Sequence, residues 1–197
     1  GGAYLPLAFK NAGVDADALA DRAVEHDKYL VPQGVRFLVG TADVQKNRFV
    51  VQVIGYGVGL ESWLVDRYSI AISDRLDDSG EGEPLNPAGY LEDWDILEKK
   101  LIVRTYELND GSGRLMPLKI SMCDSGGNKD DHTNSTVTKN AYEFWRKLKK
   151  KGKHRNFHLI KGRATGATVE KTFPDSSNRK DRNSGSRGDV PVQMLHS

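Results

Sequence analysis

The 197-residue chain has one cysteine, Cys123. A lone thiol excludes an intrachain disulfide and a cysteine-built zinc cluster, and it fits a reducing compartment such as the cytoplasm. No run approaches the roughly 18 to 20 apolar residues of a membrane span, so no membrane partner is expected. No secretory signal pattern opens the chain. The phosphate-loop pattern G-x-x-x-x-G-K-[ST] is absent, which excludes a nucleotide-driven motor of that type within these residues. Hydrophobic residues make up 38% and charged residues 28%, which suits one well-buried domain with a polar surface.

The small net charge of +2 conceals an asymmetry. Residues 1–138 carry 14 Lys/Arg against 22 Asp/Glu, whereas residues 139–187 carry 15 against 4. A basic stretch after an acidic one suggests a polyanion held beside a cation site. A solvated basic helix followed by a charged loop explains the same numbers.

Residues 14–30 read as a short polar helix, and residues 1–33 as a lead-in to a domain over 34–197. Val35–Ala42 is nearly continuous in apolar residues and predicts a central strand. Arg48–Tyr56, rich in β-branched residues, and Glu61–Ile70 predict two more, and the short connections force an antiparallel three-strand meander. Residues 73–86 read as a loop. Asn86-Pro87 then opens an amphipathic helix over 87–104, with Leu91, Trp94 and Leu101 at helical spacing. A fourth strand spans Leu118–Cys123, a basic helix 139–150 and a fifth strand Phe157–Ile160. Residues 162–188 read as a mobile loop, and a last strand starts near Val190.

The order βββαβαβ is the connectivity of the ribonuclease H-like fold, an α/β architecture with a mixed central sheet flanked by helices. In that connectivity the first and fourth strands are neighbours. Asp43, in Gly40-Thr41-Ala42-Asp43-Val44-Gln45, then faces Asp124, in Met122-Cys123-Asp124-Ser125-Gly126-Gly127. Paired carboxylates at adjacent strand ends can hold hard divalent cations, which metal-dependent phosphodiester cleavage requires. Taken singly, each Asp also reads as a turn residue. Asp66 is a candidate accessory carboxylate or a surface partner of Arg67. Asp131 and His132, beside Asp130, form either an accessory cluster or a solvated loop. Lys149, Lys150, Lys151, Lys153 and Arg155, with Lys161 and Arg163 after the fifth strand, are the candidate phosphate contacts.

The motifs of Leu38–Ile70, with Gly55-Tyr56-Gly57 and Glu61-Ser62-Trp63-Leu64-Val65-Asp66, resemble the nuclease domain of lambda-like bacteriophage terminase large subunits. Asp124-Ser125-Gly126-Gly127 is similar to that family's second acidic motif, and Leu159-Ile160-Lys161-Gly162 to the strand after it. The resemblance implies a two-metal endonuclease using two Mg²⁺ or Mn²⁺ ions, which cuts concatemeric double-stranded DNA during genome packaging in the host cell cytoplasm. It also implies an N-terminal ATPase domain in the same polypeptide and, as partners, the small terminase subunit and the portal protein. A third acidic ligand is implied near the C-terminus, on a helix beyond the last strand. The sequence ends at Ser197 before such a helix, so a C-terminally truncated domain that binds metal weakly or is inactive is expected. Two rival readings remain: a non-catalytic DNA-binding or docking module of the same fold, and a resolvase- or transposase-type nuclease.

Overall fold

The computed structural model describes residues 29–163, 169–174 and 188–196. Residues 14–28 of the helix expected over 14–30, and much of the loop expected over 162–188, lie outside these residues.

Nine strands form the main sheet. Its centre is β2 (Phe37–Gln45) between β3 (Arg48–Tyr56) and β8 (Leu115–Asp124). The meander is as expected, with β3 antiparallel to β2 and to β4 (Ser62–Ile70). On the other side β8 runs parallel to β2 and to β9 (Phe157–Arg163). Then come β11 (Val192–His196), parallel to β9, and β10 (Glu170–Thr172), antiparallel to β11. This mixed α/β sheet has the strand connectivity of a ribonuclease H-like fold.

Three features escaped the sequence. Residues 73–86 are not a plain loop: β5 (Ile72–Leu76) and β6 (Gly82–Pro84) form a hairpin. Its turn is tied by Asp77, whose Oδ1 accepts from the Ser79 and Glu81 backbone N–H groups. The second is β7 (Thr105–Leu108), which pairs with β8 and with β1 (Leu30–Val31). Val31 is buried in the core, so the end of the expected lead-in belongs to the domain. The third is the helix expected over 87–104. Asn86 does bond the Gly89 N–H through its side chain, yet regular helix begins only at Glu92. The segment, α1, runs through a 3₁₀ turn (Glu92–Trp94), an α turn (Asp95–Leu97) and a π turn (Glu98–Ile102).

The basic helix α2 (Val137–Lys150) is capped by Thr136, whose hydroxyl accepts from the Lys139 N–H at 3.0 Å. Both helices pack on one face of the sheet. An aromatic chain joins the layers: Phe49 of β3 meets Trp94 of α1 at 5.3 Å, Trp94 meets Phe144 of α2 at 6.1 Å, and Phe144 meets Phe157 of β9 at 5.4 Å. Buried Asp93 ties the hairpin to α1 by accepting from Ser73 Oγ, Arg75 Nε and the Asn86 N–H. With its charge paired and hydrogen-bonded, this burial is tolerable.

Among the described residues no helix covers the opposite face. There Thr41, Asp43, Val50, Gln52, Met122, Asp124, His158 and Ile160 follow the alternation of a pleated sheet and stay partly or fully exposed.

Gly40 sits where α1 presses hardest on the sheet. A Cβ there would lie 2.6 Å from Leu101 Cδ1 and 2.8 Å from Leu118 Cδ1. Gly40→Val therefore overpacks the core and should cost about 1–3 kcal/mol, read as a lower urea midpoint with unchanged slope.

Candidate active site

The β2–β8 ladder pairs Ala42 with Cys123, so the next residues, Asp43 and Asp124, end the two strands side by side. Both carboxylates line one open groove of about 700 Å³ on the uncovered face. Asp124 is half-buried and Asp43 exposed. Cys123, behind them, is fully buried. Burial pushes its thiol well above the ordinary value, and the nearby Asp124 and Asp43 charges add to that.

Local bonds hold each carboxylate. Asp43 Oδ2 accepts from Gln45 Nε2 at 2.9 Å, and Gln45 Oε1 in turn accepts from Arg48 Nε at 2.7 Å. Asp124 Oδ1 accepts from the Gly126 N–H at 3.0 Å. Ser125 anchors this turn to β9, because its N–H and its hydroxyl both donate to the Ile160 carbonyl at 2.9 Å. Its own carbonyl accepts from Thr138 Oγ1 of α2 at 2.7 Å. Gly127 then adopts a φ of 153°, and a Cβ would lie 2.8 Å from Val137, so a side chain is excluded on both counts.

Neither Asp43 nor Asp124 has an ion-pair partner among the described residues. Two uncompensated carboxylates side by side repel each other, and a bound cation relieves that repulsion. No third His, Cys, Asp or Glu joins them within the described residues.

Of the other expected residues, Lys161 is near this turn. A Cβ on Gly126 would lie 3.5 Å from Asp124 Oδ1 and 3.8 Å from Lys161 Cε. Arg163 ends β9. Asp66 lies apart, its side chain directed to the helix-covered face. There it accepts from Tyr106 Oη at 2.8 Å and pairs with Arg104 at 2.9 Å. Burial, then the bond to Asp66, pushes the Tyr106 hydroxyl upward, so the phenol stays a proton donor.

Asp131 and His132 are exposed on a second cavity of about 820 Å³, which shares only Gln45 with the groove. Asp130 organises that loop. Its Oδ1 accepts from the His132 and Thr133 N–H groups and its Oδ2 from Asn86 Nδ2, which together hold its carboxyl well below the usual range.

The basic run does not lie beside the carboxylates. The end of α2 leads into the start of β9, where Phe157 pairs with Ser121, three residues before Asp124. Lys149, Lys150, Lys151, Lys153 and Arg155 thus sit toward the opposite end of the strands. Lys151 and Lys153 each meet Glu98 at 2.6 Å, and Lys149 lies over the Trp145 ring. The charge asymmetry is real, but part of it fastens α2 to α1.

Sequence reading missed the groove's own polar lining, Thr41, Arg48, Gln52 and Arg67. The signal was available: Thr41 pairs with Gln52 and Gln52 with Arg67, so strand alternation puts all three on the face of Asp43.

Comparison with known proteins decides the family. The model described as "Terminase large subunit gpA, endonuclease domain" matches residues 5–196. The chain belongs to that family. It is also 43% identical over 56 residues to the large subunit of terminase from Escherichia phage lambda. That match covers 28% of this chain and 9% of the lambda protein. No solved structure matches.

The two lysines on Glu98 hold its carboxyl below the ordinary value of about 4.3. A depressed carboxylate contributes stability above its unfolded pKa and loses it as pH falls through the folded value. Wild type should thus exceed Glu98→Gln in urea stability above about pH 5, and the gap should close on acidification.

Proposed function

We propose that this chain is a metal-dependent endodeoxyribonuclease domain that cuts double-stranded DNA for genome packaging. The observation that carries the reading is the placement of Asp43 beside Asp124, with neither charge paired among the described residues, in a chain of the terminase endonuclease family. Their hard oxygen donors fit Mg²⁺ or Mn²⁺ and suit neither a soft nor a redox metal.

Asp43 and Asp124 would hold the metal, two ions as in other phosphodiester nucleases. When bound, such ions generate a nucleophilic hydroxide and stabilise the leaving oxygen. The chain's residues position the rest. The Gly126 N–H fixes one Asp124 oxygen and leaves the other free. Arg48 holds Gln45, and Gln45 orients Asp43. Lys161, beside the Asp124 turn, supplies positive charge for a phosphate oxygen. Within a whole large subunit the domain works with an ATPase motor, the small subunit and the portal protein.

One observation favours a second reading, a DNA-binding module that does not cut: the described residues contain no third ligand. Nicking of supercoiled plasmid in Mn²⁺ separates the two. Asp43→Asn and Asp124→Asn should each slow nicking at least about a hundredfold, since each removes several kcal/mol of charge stabilisation. DNA affinity in the same variants should change far less. Equal nicking by Asp43→Asn and wild type would overturn the assignment. Wild type that binds DNA yet neither nicks it nor responds to Mn²⁺ would establish the second reading.

A further inference from the structure

The groove holds a cation with no role in the fold. Arg67 is exposed in the middle of β4, the last strand on its side of the sheet. Among the described residues its side chain makes no hydrogen bond, ion pair or ring contact, although the side chains of other arginines of this region do. Arg48 bonds Gln45, Arg75 bonds Asp93 and Glu83, and Arg104 bonds Asp66. The adjacent carboxylate, Asp66, points to the other face and is already satisfied by Arg104 and Tyr106. Arg67 therefore lies free in the same groove as Asp43 and Asp124.

The register fixes how far away it is. Gln52 of β3 pairs with Arg67, and Thr41 of β2 pairs with Gln52. Two strand spacings, about 10 Å, separate β4 from β2, and two residues along the strand, about 7 Å, separate the Arg67 row from the Asp43 row. The diagonal, about 12 Å, exceeds the about 3.4 Å of helix axis per phosphate of one strand, so the phosphate that meets Arg67 is not the scissile one. Between the two ends lie Gln52 and Thr41, which carry polar groups without charge. The face thus offers a carboxylate pair suited to a cation at one end and a guanidinium suited to a phosphate at the other.

Building on the nuclease reading, we infer that the uncovered face of β2, β3 and β4 is the track of the DNA strand being cut. Arg67 grips a backbone phosphate other than the scissile one. It is a positioning residue that contacts substrate away from the reacting atoms. DNA then approaches over the bare sheet and away from the lysine-rich end of α2.

The test measures affinity for a labelled duplex by fluorescence anisotropy across a salt series, with Ca²⁺ present to allow binding without cutting. Arg67→Gln should weaken binding about tenfold or more, and should flatten the plot of log K against log salt by about one unit. Arg67→Lys should restore the slope, which a merely structural loss could not produce. Arg155→Gln, at the other end of the sheet, should change both quantities less. In Mn²⁺ the Arg67→Gln enzyme should show a raised KM with a smaller change in kcat. Wild-type affinity and slope in Arg67→Gln would overturn the inference, as would an equal or larger effect from Arg155→Gln. These binding results do not depend on cleavage, so a protein that never nicks DNA would remove the nuclease reading yet still report whether Arg67 holds phosphate.

Discussion

Everything at the site depends on the parallel pairing of β2 with β8. It joins the N-terminal meander to the helix-connected second half, and its last pair, Ala42 with Cys123, delivers two carboxylates to one edge. A slip of one residue would send one of them to the opposite face. The pairing is locked from below, where Leu38, Ala42, Cys123 and Leu159 are buried beneath α1 and α2. It is locked from the side by Ser125, which binds the end of β8 to β9. Gly40 lets Leu101 and Leu118 close under the sheet without displacing the strands.

Charge is divided between the two faces by purpose. On the covered side, opposite charges are spent on one another: Asp93 with Arg75, Asp66 with Arg104, Asp95 with Lys147, Glu98 with Lys151 and Lys153. On the bare side Asp43, Asp124 and Arg67 have no ion-pair partner within the described residues. Burial would make such isolation costly, whereas exposure to solvent makes it tolerable. Charges left unsatisfied at tolerable cost are what a polyelectrolyte substrate and its cations can engage.

Much of this was legible in the sequence because it rests on patterns of short range. Alternating and continuous apolar runs gave β2, β3, β4, β8 and β9, and the ordering of helices between them gave the adjacency of Asp43 and Asp124. The misses have definite causes. The β5–β6 hairpin is built from Asp, Ser, Gly and Glu, and it is held by side-chain bonds to Asp77 and by Asp93, which no period reports. Helix α1 is shorter than its apolar spacing suggested, since the turn capped by Asn86 delays it. For the Lys149–Arg155 run, read as candidate phosphate contacts, composition records charge without direction. Only the placement of Glu98 shows where two of those lysines are used. Arg67 was overlooked for the converse reason: adjacent Asp66 and Arg67 look like a pair, although neighbours in a strand point to opposite faces.

Asp43 and Asp124 stand 81 positions apart in the chain, and only the β2–β8 ladder brings them together. Contacts of such sequence separation close late, after the local hairpins, because the entropy of a long loop must be lost first. The meander and α2 can therefore form while the two carboxylates remain distant. A partly folded chain, whether nascent or misassembled, carries no paired site. The topology itself delays the assembly of the carboxylate pair until the domain is complete.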